Sequence, residues 1–291
     1  MEDRREEFSL TLMCRQLGVS RSGYYAWRGR PPSAREMANR ELVGEIRALH
    51  RASRETYGSP RIYREMRARG FLCSENRIAR LMRLHHIQAK GRRRYKVTTK
   101  AKEARPVAPN LLRQDFVAER PNEKWLADIS YIPTAEGWLY LAVVLDLYAR
   151  RVVGWAMASR MSVKLTLNAL RMALMQRRPE PGLIHHSDRG SQYTSAEYQR
   201  LLKSWGVQVS MSGAGNCYDN APVESFFGTL KGELVEHVRY QARAEARSDI
   251  FDYVEVFYNR QRIHSTIGYV SPLTYEQAFH QRASSALTSC P

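Results

Sequence analysis

Three stretches of otherwise mostly apolar sequence each carry a carboxylate. They are Trp125-Leu126-Ala127-Asp128-Ile129-Ser130-Tyr131-Ile132, the short run through His185-His186-Ser187-Asp188-Arg189-Gly190, and Asn220-Ala221-Pro222-Val223-Glu224-Ser225-Phe226-Phe227. Charged side chains are rarely buried without a partner. Three acids set in or against core elements therefore need an explanation, and a metal site is the one that best suits them. The surrounding chain is strongly basic, with 46 Lys and Arg against 29 Asp and Glu, a formal charge of +17. Such an excess calls for a polyanionic partner, nucleic acid foremost.

Other classes are disfavoured. Cys14, Cys73, Cys217 and Cys290 have no C-x-x-C spacing, so neither a zinc ribbon nor a disulfide framework is indicated. The longest apolar run, Leu139 to Leu145, is too short to span a bilayer, and the charged first residues hold no signal-peptide core. A protein of a reducing cytosol, with no membrane partner, is the expectation. No P-loop glycine pattern and no Ser-His-Asp arrangement stands out.

Along the chain, 1–50 reads as helical and helix-turn-helix-like. Leu12, Met13 and Leu17 form one face, Ser20 caps a second short helix, and Tyr24, Tyr25 and Trp27 pack the pair; 34–51 is a longer amphipathic helix. Residues 51–96 read as a second helix-turn-helix-like, DNA-binding region. Its last helix, capped by Ser74, carries Arg77, Arg80 and Arg83 and runs into Arg92, Arg93 and Arg94, a stripe suited to phosphates. Residues 97–120 carry Pro106 and Pro109, show little periodicity and read as a linker. From 121 to 291 the pattern is β-β-β-α-β-α-β-α with a further aromatic-rich helix at 245–260 and a turn at 264–272. Thr194 and Glu197 read as a capping box for a helix at 195–205.

Val223, Phe226, Phe227, Leu230 and Leu234 make the apolar stripe of the last core helix. Glu224 sits at the edge of that stripe, able to lean over the sheet. Lys231, nearly two turns on, shares its side, whereas Glu233 falls about 180° away and cannot share the site. If the strands carrying Asp128 and Asp188 are neighbours, both carboxylates meet at one edge and the helix brings in Glu224. Oxygen-only ligation with few protein groups suits Mg²⁺. Two such ions would activate an attacking hydroxyl and stabilise the leaving oxygen of an in-line phosphoryl transfer. The plainer alternative makes Asp128 a strand-end cap and Asp188 a turn residue. Asp146 reads as a turn residue, Asp219 as a cap for the Glu224 helix, and His185 and His186 as structural or site-lining.

Asp128, Asp188 and Glu224, with 35 residues between the last two, resemble the DDE triad of the retroviral-integrase catalytic core. The wording of Trp125–Ile132, His185–Tyr193 and Tyr218–Lys231 is closer still to bacterial transposases of the "insertion sequence three" family, second-frame protein. Cys14–Trp27 and Tyr57–Lys90 also resemble that family's N-terminal segments, so the likeness covers essentially the whole chain. The resemblance implies an α/β, ribonuclease H-like core with an all-α helix-turn-helix N-terminal region. It implies Mg²⁺ or Mn²⁺ dependence, and cutting and joining of DNA at element ends by homo-oligomers. Asp128, Asp188 and Glu224 become the catalytic metal ligands and Lys231 a contact to terminal DNA. In this family a first-frame protein joined by frameshifting usually supplies an end-recognising helix-turn-helix and a leucine zipper; no sustained heptad repeat occurs here. The competing readings are a hydrolytic nuclease with the same site and a DNA-binding regulator whose acids are structural.

Overall fold

A computed structural model of the chain describes residues 1–91, 108–213 and 217–288. Local capping sets much of the helical phasing. Serines at positions 9, 20, 33, 74 and 195 each accept a backbone N–H at the start of a helix. The N-terminal helices are α1 (Leu10–Gln16), α2 (Arg21–Arg28), α3 (Ala34–Ala52), α4 (Ser59–Ala68) and α5 (Glu75–Leu84). In the first pair only Met13, Cys14 and Tyr24 are buried; Leu12, Leu17, Tyr25 and Trp27, expected to pack it, face outward. Two helices of seven and eight residues have too little surface to enclose so many large side chains.

Helix α3 packs on α4 and α5 through Leu42, Ile46, Ile62, Met66, Ile78 and Leu81. The division expected at residue 50 therefore falls inside one packed unit. That unit does not end at its own surface. Its core is continuous with Val223, Phe226, Val254 and Phe257 of the C-terminal half.

The C-terminal half is built on β1 (Lys124–Ile132), β2 (Leu139–Asp146), β3 (Arg151–Ala158), β4 (Ile184–Ser187) and β5 (Gln208–Met211), in the order β3-β2-β1-β4-β5. The first three strands are antiparallel neighbours, whereas β1 pairs parallel with β4 and β4 with β5. Both faces are covered. On one, Trp125, Ala127, Val144 and Val153 meet α6 (Val163–Arg177) and α7 (Ala196–Ser204). On the other, Leu126, Ile132, Leu141 and Val143 meet α8 (Ala221–Glu233) and the C-terminal helices. Helix α9 (Arg243–Asp252) runs on as a π-helical turn, Tyr253–Tyr258, and α10 (Pro272–Thr288) ends the described chain.

Several local expectations change. The cap of α7 is Ser195 rather than Thr194, whose hydroxyl instead donates to the carbonyls of Gly190 and Ser191. Of the expected linker, 97–107 lies outside the described residues, and from 108 the chain is packed. There the Leu111 N–H donates to Ser210 Oγ, Leu112 is buried, and Lys124 Nζ holds Asp115 at 2.8 Å. Among the described residues no helix is long and apolar enough to cross a membrane.

Candidate active site

The parallel register of β1 and β4 ends at Ala127 opposite Ser187. Asp128 and Asp188 are the next residues on the two strands, so the sheet sets them side by side where β4 gives way to a loop. Asp128 has the same parity along β1 as Leu126 and Ile132, which places it on the α8 face. Glu224, in the first turn of α8, is exposed beside it, because Val223, Phe226 and Phe227 take the buried side of that helix.

Each aspartate is fixed by a backbone amide. The Ile129 N–H donates to Asp128 Oδ1 at 2.7 Å, and the Gly190 N–H to Asp188 Oδ1 at 2.9 Å. Gly190 leaves room for these side chains: a Cβ would stand 3.0 Å from Asp188 Oδ1 and 2.9 Å from Gln192 Oε1, so both would have to shift. Arg189 turns away to donate through Nε to the Ser212 carbonyl at 2.7 Å, which ties the loop to the end of β5.

The electrostatics are those of crowded carboxylates. Burial, then the charges of Asp188 and Glu224, push Asp128 up to about 8, against the Ile129 amide and the Lys231 ammonium. The protein packed beneath Asp188 raises it too, against the Gly190 amide. Tyr193 is buried beneath the pair and feels the charge of both aspartates.

Among the described residues no three His, Cys, Asp or Glu side chains converge closely enough to hold one ion. Asp188 and Glu224 still stand near enough to Asp128 for their charges to act on it. The donor set nonetheless fits a hard divalent cation. It is all carboxylate oxygen, and a bound cation would favour the charged form of two aspartates that burial disfavours.

Other sequence candidates separate into structural roles. Asp146 is fully buried and accepts from the N–H groups of Asn122 and Tyr148 and from Trp125 Nε1. Asp219 does not cap α8; it accepts from Asn110 Nδ2 at 2.9 Å and the Gly213 N–H at 2.7 Å, tethering the 108–114 segment. His185 bonds the Tyr198 hydroxyl, and His186 the hydroxyls of Ser210 and Ser212. Glu233 is buried in a bidentate pair with Arg262 and also accepts from the Tyr253 hydroxyl. Arg77 is occupied by Asn39 Oδ1 at 2.9 and 3.0 Å, whereas Arg80 and Arg83 are exposed on α5. Arg92, Arg93 and Arg94 lie outside the described residues. Lys231 extends its ammonium over the ring of Tyr131, 4.8 Å from the centroid, a contact that sequence periodicity had no means of showing.

A mixed five-stranded sheet with two antiparallel hairpins, two parallel additions and paired aspartates at the β1–β4 edge defines an integrase-type catalytic core. Models described as "Integrase core domain" match residues 118–217 and 224–279, and one described as "HTH-like domain" matches 37–95. The chain is 48% identical over 93% of its length to the whole of an insertion element IS600 31 kDa protein of Shigella sonnei. It is 43% identical over 95% of its length, and 96% of the relative's, to the transposase InsF for insertion sequence IS3A of Escherichia coli. The chain belongs to the IS3-family transposases, which are polynucleotidyl transferases acting in DNA transposition and integration. Among solved structures, it is similar at 16% identity to the HTLV-2 integrase catalytic core domain in complex with magnesium (TM-score 0.42; 54% of this chain, 98% of that one). It is also similar at 15% identity to a simian T-cell lymphotropic virus intasome chain (TM-score 0.45; 79% and 74%).

Proposed function

We propose that Asp128, Asp188 and Glu224 are the catalytic acids of this transposase and hold its divalent metal. The observation that carries this is the position of the two aspartates, each the next residue after the last register pair of the parallel β1–β4 ladder, near the first turn of α8. Mg²⁺ or Mn²⁺, two ions in the full site, would supply activation of the attacking hydroxyl and stabilisation of the leaving oxygen. The chain's own part is to position. The Ile129 and Gly190 amides orient the aspartates, α8 brings Glu224 to the same opening, and Lys231 offers a cation to terminal DNA. Arg80 and Arg83, with the Arg92–Arg94 run, serve as phosphate contacts away from the chemistry, while Arg77, expected with them, is turned to Asn39. The working form is a homo-oligomer on element ends and target DNA at the nucleoid, either as this chain alone or as a frameshift fusion with the first-frame protein.

Glu224→Gln tests the site. It keeps the size of an exposed side chain and removes the charge that would bind the ion. Strand cleavage and joining should fall by orders of magnitude while folding and DNA binding persist. Glu233→Gln is unsuitable as the control because Glu233 is buried in an ion pair. Glu180→Gln, 84% exposed, is the appropriate one. Equal strand-transfer activity in the Glu224 and Glu180 variants would refute the assignment.

A further inference from the structure

Beside the acids, the β1–β2 hairpin presents two large aromatic side chains to solvent. Tyr131 is 53% and Trp138 48% exposed, and their rings stand edge to face with centroids 4.8 Å apart. Tyr131 follows Asp128 by three residues along β1, and the ammonium over its ring belongs to Lys231, about two turns along α8 from Glu224, so ring and cation lie on the strand and helix that carry two of the acids. The hairpin is held rigidly. Arg243 at the start of α9 donates through Nε to the Trp138 carbonyl at 3.1 Å and through Nη2 to the Glu136 carbonyl. Thr134 Oγ1 donates to the Gly137 carbonyl at 2.6 Å, and the Ala135 N–H to the Tyr240 carbonyl at 3.0 Å. Gly137, at φ +101°, sits so close to Arg243 that a Cβ would stand 3.0 Å from Nη2. Exposed aromatic surface costs solvation, and a scaffold that fixes it in place removes the entropic cost of using it.

We infer that Tyr131 and Trp138 form a stacking platform for an unpaired base of the DNA strand delivered to the acids. A nucleobase is the occupant the surroundings favour. Aromatic faces stack bases of any sequence, and the adjacent Lys231 cation matches the phosphate that must accompany each base. A duplex end keeps its bases stacked on one another, so the platform takes only a base that has left the helix. The inference rests on the proposed active site and adds a feature to its substrate: DNA frayed or single-stranded beside the scissile phosphate.

The test separates the platform from the chemistry by working in chelator, where only binding is read. Anisotropy would compare a blunt duplex with the same duplex bearing a single-stranded thymidine extension. The wild-type chain should favour the extended duplex by roughly fivefold or more per stacked base. Tyr131→Ala with Trp138→Ala should abolish that preference and leave blunt-duplex affinity unchanged, whereas Tyr131→Phe with Trp138→Phe should retain it. Iodouracil placed in the extension should photo-crosslink to Tyr131 or Trp138 in the unaltered protein. No preference in the wild-type chain, preference retained in the double alanine variant, or crosslinks confined to other elements would each overturn the platform. Failure of the acid assignment would instead appear as activity in the Glu224 variant, which this binding test does not touch.

Discussion

Glu224 and Glu233 share one helix and one chemistry, and their surroundings give them opposite roles. Glu224 stands in solvent at the mouth of the site. Glu233 is 8% exposed and held by Arg262, itself 5% exposed, at 2.6 Å, with the Tyr253 hydroxyl donating at 2.7 Å. Glu233→Gln leaves Arg262 a buried charge without its counter-charge. It should lower unfolding free energy by about 3 kcal/mol in denaturant titration; a change below ~1 kcal/mol would mean the pair is solvated after all. Histidine protonation gives a second residue-scale effect. Burial, then neighbouring His186, lowers His185 to about 3; burial, then Arg262, Arg61 and Arg150, lowers His264 to about 2. Both stay neutral in the fold while the unfolded chain takes up protons near 6.5. The unfolded state then binds more protons, so this contribution is fully present above pH ~6.5 and is lost as pH falls, by at most about 1.4 kcal/mol per unit for each histidine. Melting midpoints measured between pH 7.5 and 5 should fall, and His264→Gln should flatten the slope. Identical slopes in the two proteins would place that His elsewhere than in the packed interior.

Among the elements, β3 approaches α6 closely at Gly154. A Cβ on Gly154 would stand 2.3 Å from the Ala169 carbonyl oxygen, 2.8 Å from the Ala173 nitrogen and 2.7 Å from its Cβ. Two of those atoms are backbone, so no rotamer change relieves the clash. Gly154→Ala should cost about 1–3 kcal/mol or more through displacement of α6, read as a lower thermal midpoint; an unmoved midpoint would mean that the helix rides on the sheet with slack. Periodicity made most of these elements readable. The run through β2 is apolar on both faces because helices cover both. The Val223–Phe226–Phe227–Leu230 stripe identifies α8, and two acids that interrupt apolar runs, Asp128 and Asp188, fall where β1 and β4 end their pairing. What escaped reading depends on partners distant in sequence. Helix α10 was hidden by Ser271-Pro272, which suggests the end of a turn but here opens a helix, with Ser271 Oγ accepting from the Thr274 N–H at 3.2 Å. Its Tyr275 and Phe279 find their places against Tyr148, far up the chain. Asp219 looks like a helix cap because Asn220 follows it, but its carboxylate is claimed by Asn110, more than a hundred residues earlier.

At the scale of the molecule, the helical unit α3–α5 and the catalytic half are fastened around Tyr57. Its hydroxyl accepts from the Ile263 N–H at 2.8 Å and donates to the Gln261 carbonyl at 3.3 Å. Arg61 Nε adds a bond to the Ile263 carbonyl at 3.1 Å, Arg54 reaches Asp252 at 2.7 Å, and Arg64 lies over the Tyr269 ring. These contacts surround one apolar core, so the orientation of α5, with Arg80 and Arg83, is set relative to the acids. Such continuity makes the two halves unfold together, and the seam can be probed without altering its volume. Tyr57→Phe keeps the ring and removes the oxygen, leaving the Ile263 N–H unsatisfied at a cost of about 1–3 kcal/mol. The midpoint should drop while circular dichroism and intrinsic fluorescence still trace one coincident transition. Two separated transitions in the wild-type chain would show that the seam is no part of the core, and a Tyr57→Phe variant as stable as the wild type would remove the hydroxyl from the fastening.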